Sequence, residues 1–142
     1  MDIKFKLLDK VNATAPTRSY DGDAGIDLYA SRDIKITGRG TKQVSTGIAM
    51  EIPEGYFGKI FDRSGMAINT DLFIKAGVID SGYRGEIQVV MGNISNYPIQ
   101  IKKGDKFAQM VILPVPKFEL TRVSNLKKSD REDKGFGSTD TP

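Results

Sequence analysis

The chain has 142 residues, 39% hydrophobic and 27% charged, with a net charge of +3 and neither histidine nor cysteine. That length builds one domain with a real core, while the missing His and Cys exclude the Ser-His-Asp triad, the Cys-His dyad and zinc sites on those ligands. A carboxylate, Lys or Tyr is left as the base of any enzyme, and a hard, oxygen-ligated ion such as Mg²⁺ as its metal.

The predicted elements are mostly strands. Ile3, Phe5 and Leu7 alternate with charged residues, as in a half-buried strand, and no unbroken apolar stretch of a secretory signal is seen there. A cytoplasmic location, or the host cell interior for a viral protein, is expected. DAGIDLYA (Asp23 to Ala30) sets two acids four apart around a glycine, either a strand start or a carboxylate site. Strand-like runs follow at Asp33–Thr37, Gln43–Ile52 and Tyr56–Phe61. After Arg63, Ser64 is placed to cap a short helix through Met66, Ala67 and Ile68. In the same stretch, RSG offers an anion a forked donor, a hydroxyl and open backbone.

GVIDSGYRGEI (Gly77 to Ile87) reads either as a plain hairpin turn or as a loop whose three glycines admit a ligand to the backbone. Asp80 near Tyr83 gives a carboxylate base beside a flat wall. Further strands are expected at Glu86–Ile94, Pro98–Ile101, Lys106–Val115 and Phe118–Val123, separated by Gly, Pro, Asn and Asp turns. Gln109 is the one neutral polar side chain in its apolar run, and simple alternation turns it outward. The run Phe107–Val115 is too short to span a bilayer, so no membrane role is expected. From about Ser124 the chain is charged and glycine-rich, as expected of a mobile arm. It finishes in GFGST (Gly135 to Thr139), either an inert tail or a phosphate wrap with a stacking ring. The scattered, mild positive charge argues against nucleic acid as a partner.

In this order and spacing, DAGIDLYA, RSG, GVIDSGYRGEI, GDKFAQMVI and GFGST resemble the five motifs of the homotrimeric dUTP diphosphatase (dUTPase) family, from Asp23 to Thr139. The resemblance implies an all-β, jelly-roll-like barrel or sandwich with one short helix. It implies a catalytic domain over residues 1–123 and a mobile C-terminal arm over 124–142 that closes over an active site of the trimer. It also implies hydrolysis of dUTP to dUMP and diphosphate with Mg²⁺, limiting dUTP and supplying dUMP for thymidylate synthesis.

The same resemblance assigns roles. Asp80 activates a water for attack on the α-phosphorus, with Gln109 near the water and phosphates. Arg63, Ser64 and Gly65 bind phosphate. Gly77, Val78, Ile79 and the backbone around Gln88 read the uracil edge, and Tyr83 packs on the deoxyribose to exclude a 2′-OH. Asp27 touches Mg²⁺ through water. Arg131, Ser138 and Thr139 meet the γ-phosphate, and Phe136, with Gly137 beside it, stacks over uracil.

Two other readings compete. A dCTP deaminase of the same fold family uses a Glu base and lacks GVID-x-GYRG. A non-catalytic nucleotide-binding trimeric regulator is expected to have lost Asp80 or the tail. Three acids depart from the family pattern: Glu132 where Gly is usual, Asp140 at the close of the last motif, and Asp62 before RSG. They are expected to weaken triphosphate binding unless their side chains turn away.

Overall fold

The structure, a computed structural model, describes residues 1–140. It is nearly all β. The strands are β1 (Lys4–Leu7), β2 (Gly25–Tyr29), β3 (Ile34–Ile36), β4 (Thr41–Ser45), β5 (Ile48–Glu51), β6 (Tyr56–Phe61), β7 (Leu72–Ala76), β8 (Val78–Ile79), β9 (Gln88–Asn93), β10 (Ile99–Ile101) and β11 (Lys106–Pro114). One short helix, α1 (Ser64–Asn69), lies among the described residues. All strand pairs are antiparallel, and they form four sheets ordered β1-β5, β10-β3, β2-β11-β6-β8 and β4-β9-β7. This is the all-β, jelly-roll-like subunit expected.

Burial follows the packing rather than strict alternation, with β11 shifting register between Lys106 and Ala108. Along β11, Phe107, Ala108 and Met110 are buried, and they meet Leu28, Ile60, Val89, Met91 and Ile101 in one core. Side chains of this kind contribute about 1.5–3 kcal/mol each on full burial. β11 pairs on one side with β2 and on the other with β6, so residues distant in the chain become cross-strand neighbours.

Three strand assignments depart from the sequence reading. The run Gln43–Ile52 is two strands, not one, because Gly47 takes a φ of +70°, a conformation glycine adopts without steric cost. β7 is a strand absent from the sequence reading. The segment Phe118–Val123 forms no strand: the last one ends at Pro114, and every described residue from 114 onward is exposed. Strand propensity alone forms no ladder, because a strand needs a partner edge.

Candidate active site

β11 brings the first group of polar residues together. Gln109 lies opposite Asp27 of β2 and opposite Phe61 of β6, at the end of the strand that leads into α1. Arg63 occupies the N-cap position of that helix without capping it through its side chain; Ser64 is the first helical residue rather than the cap. The freed guanidinium reaches back: its Nε donates to Asp27 Oδ1 at 3.0 Å and its Nη1 to the Lys106 carbonyl at 3.3 Å. Lys106 Nζ stands 3.5 Å from Asp27 Oδ2 and 5.8 Å from the centre of the Tyr29 ring. Asp27, 9% exposed, is therefore a buried acid with a cation on each oxygen.

Asp27, Arg63, Ser64 and Gln109 line one polar cavity of about 330 Å³ with Ser19, Asp23, Ala24 and Gly25. Alternation predicts Gln109 turned outward, and the structure corrects this. Gln109 is half-buried, its Nε2 donates to the Asp62 carbonyl at 2.8 Å, and its Oε1 lies against Gly25, where a β-carbon would collide with it. Gly65 sits exposed in the first turn of α1 and is not part of the cavity wall.

A second group forms at the Gly77–Gln88 segment. It is not a simple hairpin, because the strands flanking the turn are not each other's partners. β7 pairs with β9 as far as the Ala76/Val90 pair, and the chain then changes sheets, β8 pairing with β6. Gln88 pairs with Ser45 of β4 on one side and has no β7 partner on the other. No ladder therefore joins Val78–Ile79 to Gln88: on its other side β8 pairs with β6 and the Gly77 carbonyl accepts the Ile60 N–H at 3.0 Å, and at Gly77 a side chain would project into open space. The Gln88 side chain is engaged elsewhere, its Nε2 donating to Glu86 Oε1 at 3.1 Å, while Glu86 Oε2 accepts the Gly47 N–H at 2.9 Å.

Asp80 and Tyr83 stand exposed on the loop, tied by a turn in which the Tyr83 N–H donates to the Asp80 carbonyl at 3.1 Å. The Tyr83 hydroxyl donates to the Glu86 carbonyl at 2.7 Å, laying the ring over Gly85. Gly85 therefore admits the chain's own ring, not a ligand. Arg84 turns away, with Nη1 on the Ser81 carbonyl at 2.7 Å and Nη2 3.5 Å from Glu51. Asp80 and Tyr83 are not among the residues of the Asp27 cavity.

The dUTPase family model matches residues 11–140. The chain belongs to the dUTPase family. It is 39% identical over 143 residues to the deoxyuridine 5′-triphosphate nucleotidohydrolase of Clostridium kluyveri, covering 99% of each chain. The Staphylococcus bacteriophage 80alpha dUTPase with dUPNHPP shares the fold at a TM-score of 0.91 and 31% identity, covering 97% of this chain and 98% of that one. A point mutant of the dUTPase of phage phi11 of S. aureus, with a TM-score of 0.81 at 29% identity over 88% of this chain and 98% of its own, reveals the coordination of a structural Mg(II) ion.

The C-terminal segment carries the remaining candidates. Arg131, Phe136, Gly137, Ser138 and Thr139 are all exposed, and none of them lines the Asp27 cavity. Arg131 Nε donates to the Lys134 carbonyl at 2.9 Å, and the Ser138 N–H to the Gly135 carbonyl at 2.9 Å. Two of the three unusual acids are hydrogen-bonded to backbone N–H groups of this chain. Asp62 Oδ1 accepts the Ile74 N–H at 3.0 Å. Glu132, at a φ of +49°, folds its carboxylate back onto the Ser129 N–H at 2.9 Å, while its own N–H donates to the Ser129 hydroxyl at 3.1 Å. This is the reciprocal pattern of a capping box. Lys106, Glu86, Gly25 and the role of Asp62 were missed from sequence, because each depends on a partner brought in by strand pairing.

Proposed function

We propose that this dUTPase-family enzyme hydrolyses dUTP to dUMP and diphosphate, limiting dUTP and supplying dUMP for thymidylate synthesis. The observation that carries the reading is the parting of β8 from β9, with no ladder between Val78–Ile79 and Gln88, beside the exposed loop of Asp80 and Tyr83. Backbone edges at Gly77–Ile79 and Gln88 are left to pair with a base, as the edge of another nucleotide would. The Tyr83 ring then lies where a flat wall excludes a 2′-OH. Asp80, on that loop, orients and deprotonates the water that attacks the α-phosphorus, with the proton passing to its carboxylate.

Arg63, Ser64 and Gly65 hold the phosphates, the guanidinium pre-oriented by Asp27 so that less ordering is needed on binding. Gln109 holds the water or the phosphate beside it. The metal question rests on the donor set. Both oxygens of Asp27 already face cations, and no group of three acids gathers into a cage among the described residues. This fits Mg²⁺ carried by the triphosphate, which keeps its waters and takes few protein ligands. Asp27 has lone pairs left for one of those waters. Bound there, the ion supplies neutralisation of the triphosphate charge.

Asp80 and Tyr83 do not line the Asp27 cavity of the same chain, which supports a homotrimer whose sites combine residues of different subunits. Residues 1–123 form its catalytic body, and residues 124–142 act as the arm that closes the site. Phe136, with Gly137 beside it, stacks on uracil, and Arg131, Ser138 and Thr139 bind the γ-phosphate. Ordering the arm costs about 1–2 kcal/mol per residue fixed, so closure favours the ligand that returns most, the triphosphate.

The test is incubation of the purified protein with dUTP, dCTP, dTTP and UTP, each with Mg²⁺, measuring diphosphate and ammonia. Diphosphate from dUTP alone is expected. Ammonia from dCTP would assign a deaminase instead, and no product from any of the four would leave a binding protein.

A further inference from the structure

Asp62 stands between two sheets. It directly follows β6 of the four-stranded sheet, while Ile74 lies in β7, the edge strand of the three-stranded sheet. The Asp62 carboxylate accepts the Ile74 N–H at 3.0 Å, and its carbonyl accepts the Gln109 amide at 2.8 Å. The next residue is Arg63, bound to Asp27. One residue therefore fastens the end of β6 to β7 through its side chain and sets the Gln109 carboxamide through its main chain.

The chemistry of the second contact fixes an orientation. A backbone carbonyl only accepts hydrogen bonds, so the amide nitrogen of Gln109 must face it. The Gln109 oxygen is then left over Gly25 on the cavity side, where the absence of a β-carbon makes room for it. Were the Asp62 carbonyl to swing away, the amide would be free to flip and offer a donor where it now offers an acceptor.

We propose that Asp62 is a positioning residue for dUTP hydrolysis. Its carboxylate clamps the start of the Arg63 loop to β7 so that its carbonyl locks Gln109 with the oxygen toward the cavity. An acid beside the phosphate loop is thereby a structural clasp rather than a repulsive charge. The inference rests on the reading of Gln109 as part of the site.

The test measures kcat and KM for dUTP in Asp62→Ala, Asp62→Asn, Gln109→Ala and the Asp62→Ala/Gln109→Ala double variant of the full chain. Asp62→Ala is expected to lose about 10- to 100-fold in kcat, the range of a small misplacement near the chemistry. Asp62→Asn keeps an oxygen acceptor for the Ile74 N–H and is expected within about 3-fold of wild type, a difference well under one kcal/mol. In the Gln109→Ala background, removing the Asp62 carboxylate is expected to cost nothing more, since the two act as one unit.

Full additivity of the two losses, or Asp62→Ala with wild-type kcat, would overturn the proposal. A lower KM in both Asp62→Ala and Asp62→Asn would do so too, by exposing a repulsive charge. If Gln109→Ala itself is fully active, the reading of Gln109 fails, and the proposal with it. Should Asp62→Ala not fold, Asp62→Glu replaces it, keeping the charge while displacing the carboxylate by one methylene. The same loss of kcat is then expected, and wild-type kcat would refute the clasp.

Discussion

Replacing Gly85 by alanine tests whether the Tyr83 ring sets sugar choice. A β-carbon at residue 85 would lie 2.6 Å from the Tyr83 hydroxyl oxygen, 2.8 Å from Cζ and 3.0 Å from Cε1. Ordinary contact begins at 3.4 Å, so the ring must retreat by about 0.8 Å at its tip. That movement breaks the 2.7 Å hydrogen bond to the Glu86 carbonyl, which contributes about 0.5–1.5 kcal/mol to stability. Gly85 does not take a left-handed φ, so the alanine adds crowding rather than backbone strain. Rejection of an extra hydroxyl by shape is worth about 1–3 kcal/mol, and a ring displaced by most of an ångström forfeits much of it.

The expected result in Gly85→Ala is a fall in kcat/KM for dUTP and a narrowing of the dUTP-to-UTP ratio by about 10-fold. The assay is diphosphate release with each nucleotide across a concentration series. A preference for dUTP that survives unchanged, in a folded variant, would show that the Tyr83 ring does not police the sugar.

Three further outcomes follow from the same geometry. Asp80→Asn is expected to lower kcat by about 10²–10⁴ while equilibrium binding of a non-hydrolysable dUTP analogue is retained; normal turnover would remove Asp80 from the mechanism. Ending the chain after Asp130 removes a segment whose described residues, 131–140, are all exposed, so circular dichroism and melting should be unchanged while KM for dUTP rises; a melting loss of more than a few degrees would give the segment a structural role. Glu132→Gln should alter KM for dUTP by less than about 5-fold at low salt, because the carboxylate is turned back on Ser129. A large drop in KM would mean that it repels the triphosphate.

Much of this molecule is written in short stretches of its sequence. The alternation around Phe5 and the apolar run Lys106–Val115 gave strands, and a composition without His or Cys restricted the base to a carboxylate, Lys or Tyr and the metal to a hard ion. The resemblance across five motifs led to the family, and the conformational demand at Gly47 is a local one that glycine alone satisfies easily.

Pairing is not local, and it decided the rest. Only the registers of β11 with β2 and β6 set Gln109 against Asp27 and the Arg63 loop. The change of sheet between β7 and β8 parted Val78–Ile79 from Gln88, which a hairpin reading of Gly77–Ile87 would have paired. Phe118–Val123 has strand composition yet no partner edge within the described chain. Asp62 looked from sequence like a charge beside a phosphate loop and proved to hold a backbone N–H of another sheet. Hydrogen bonds have direction and short range, so which acid is a repulsive charge and which is a clasp depends on where folding brings the donor.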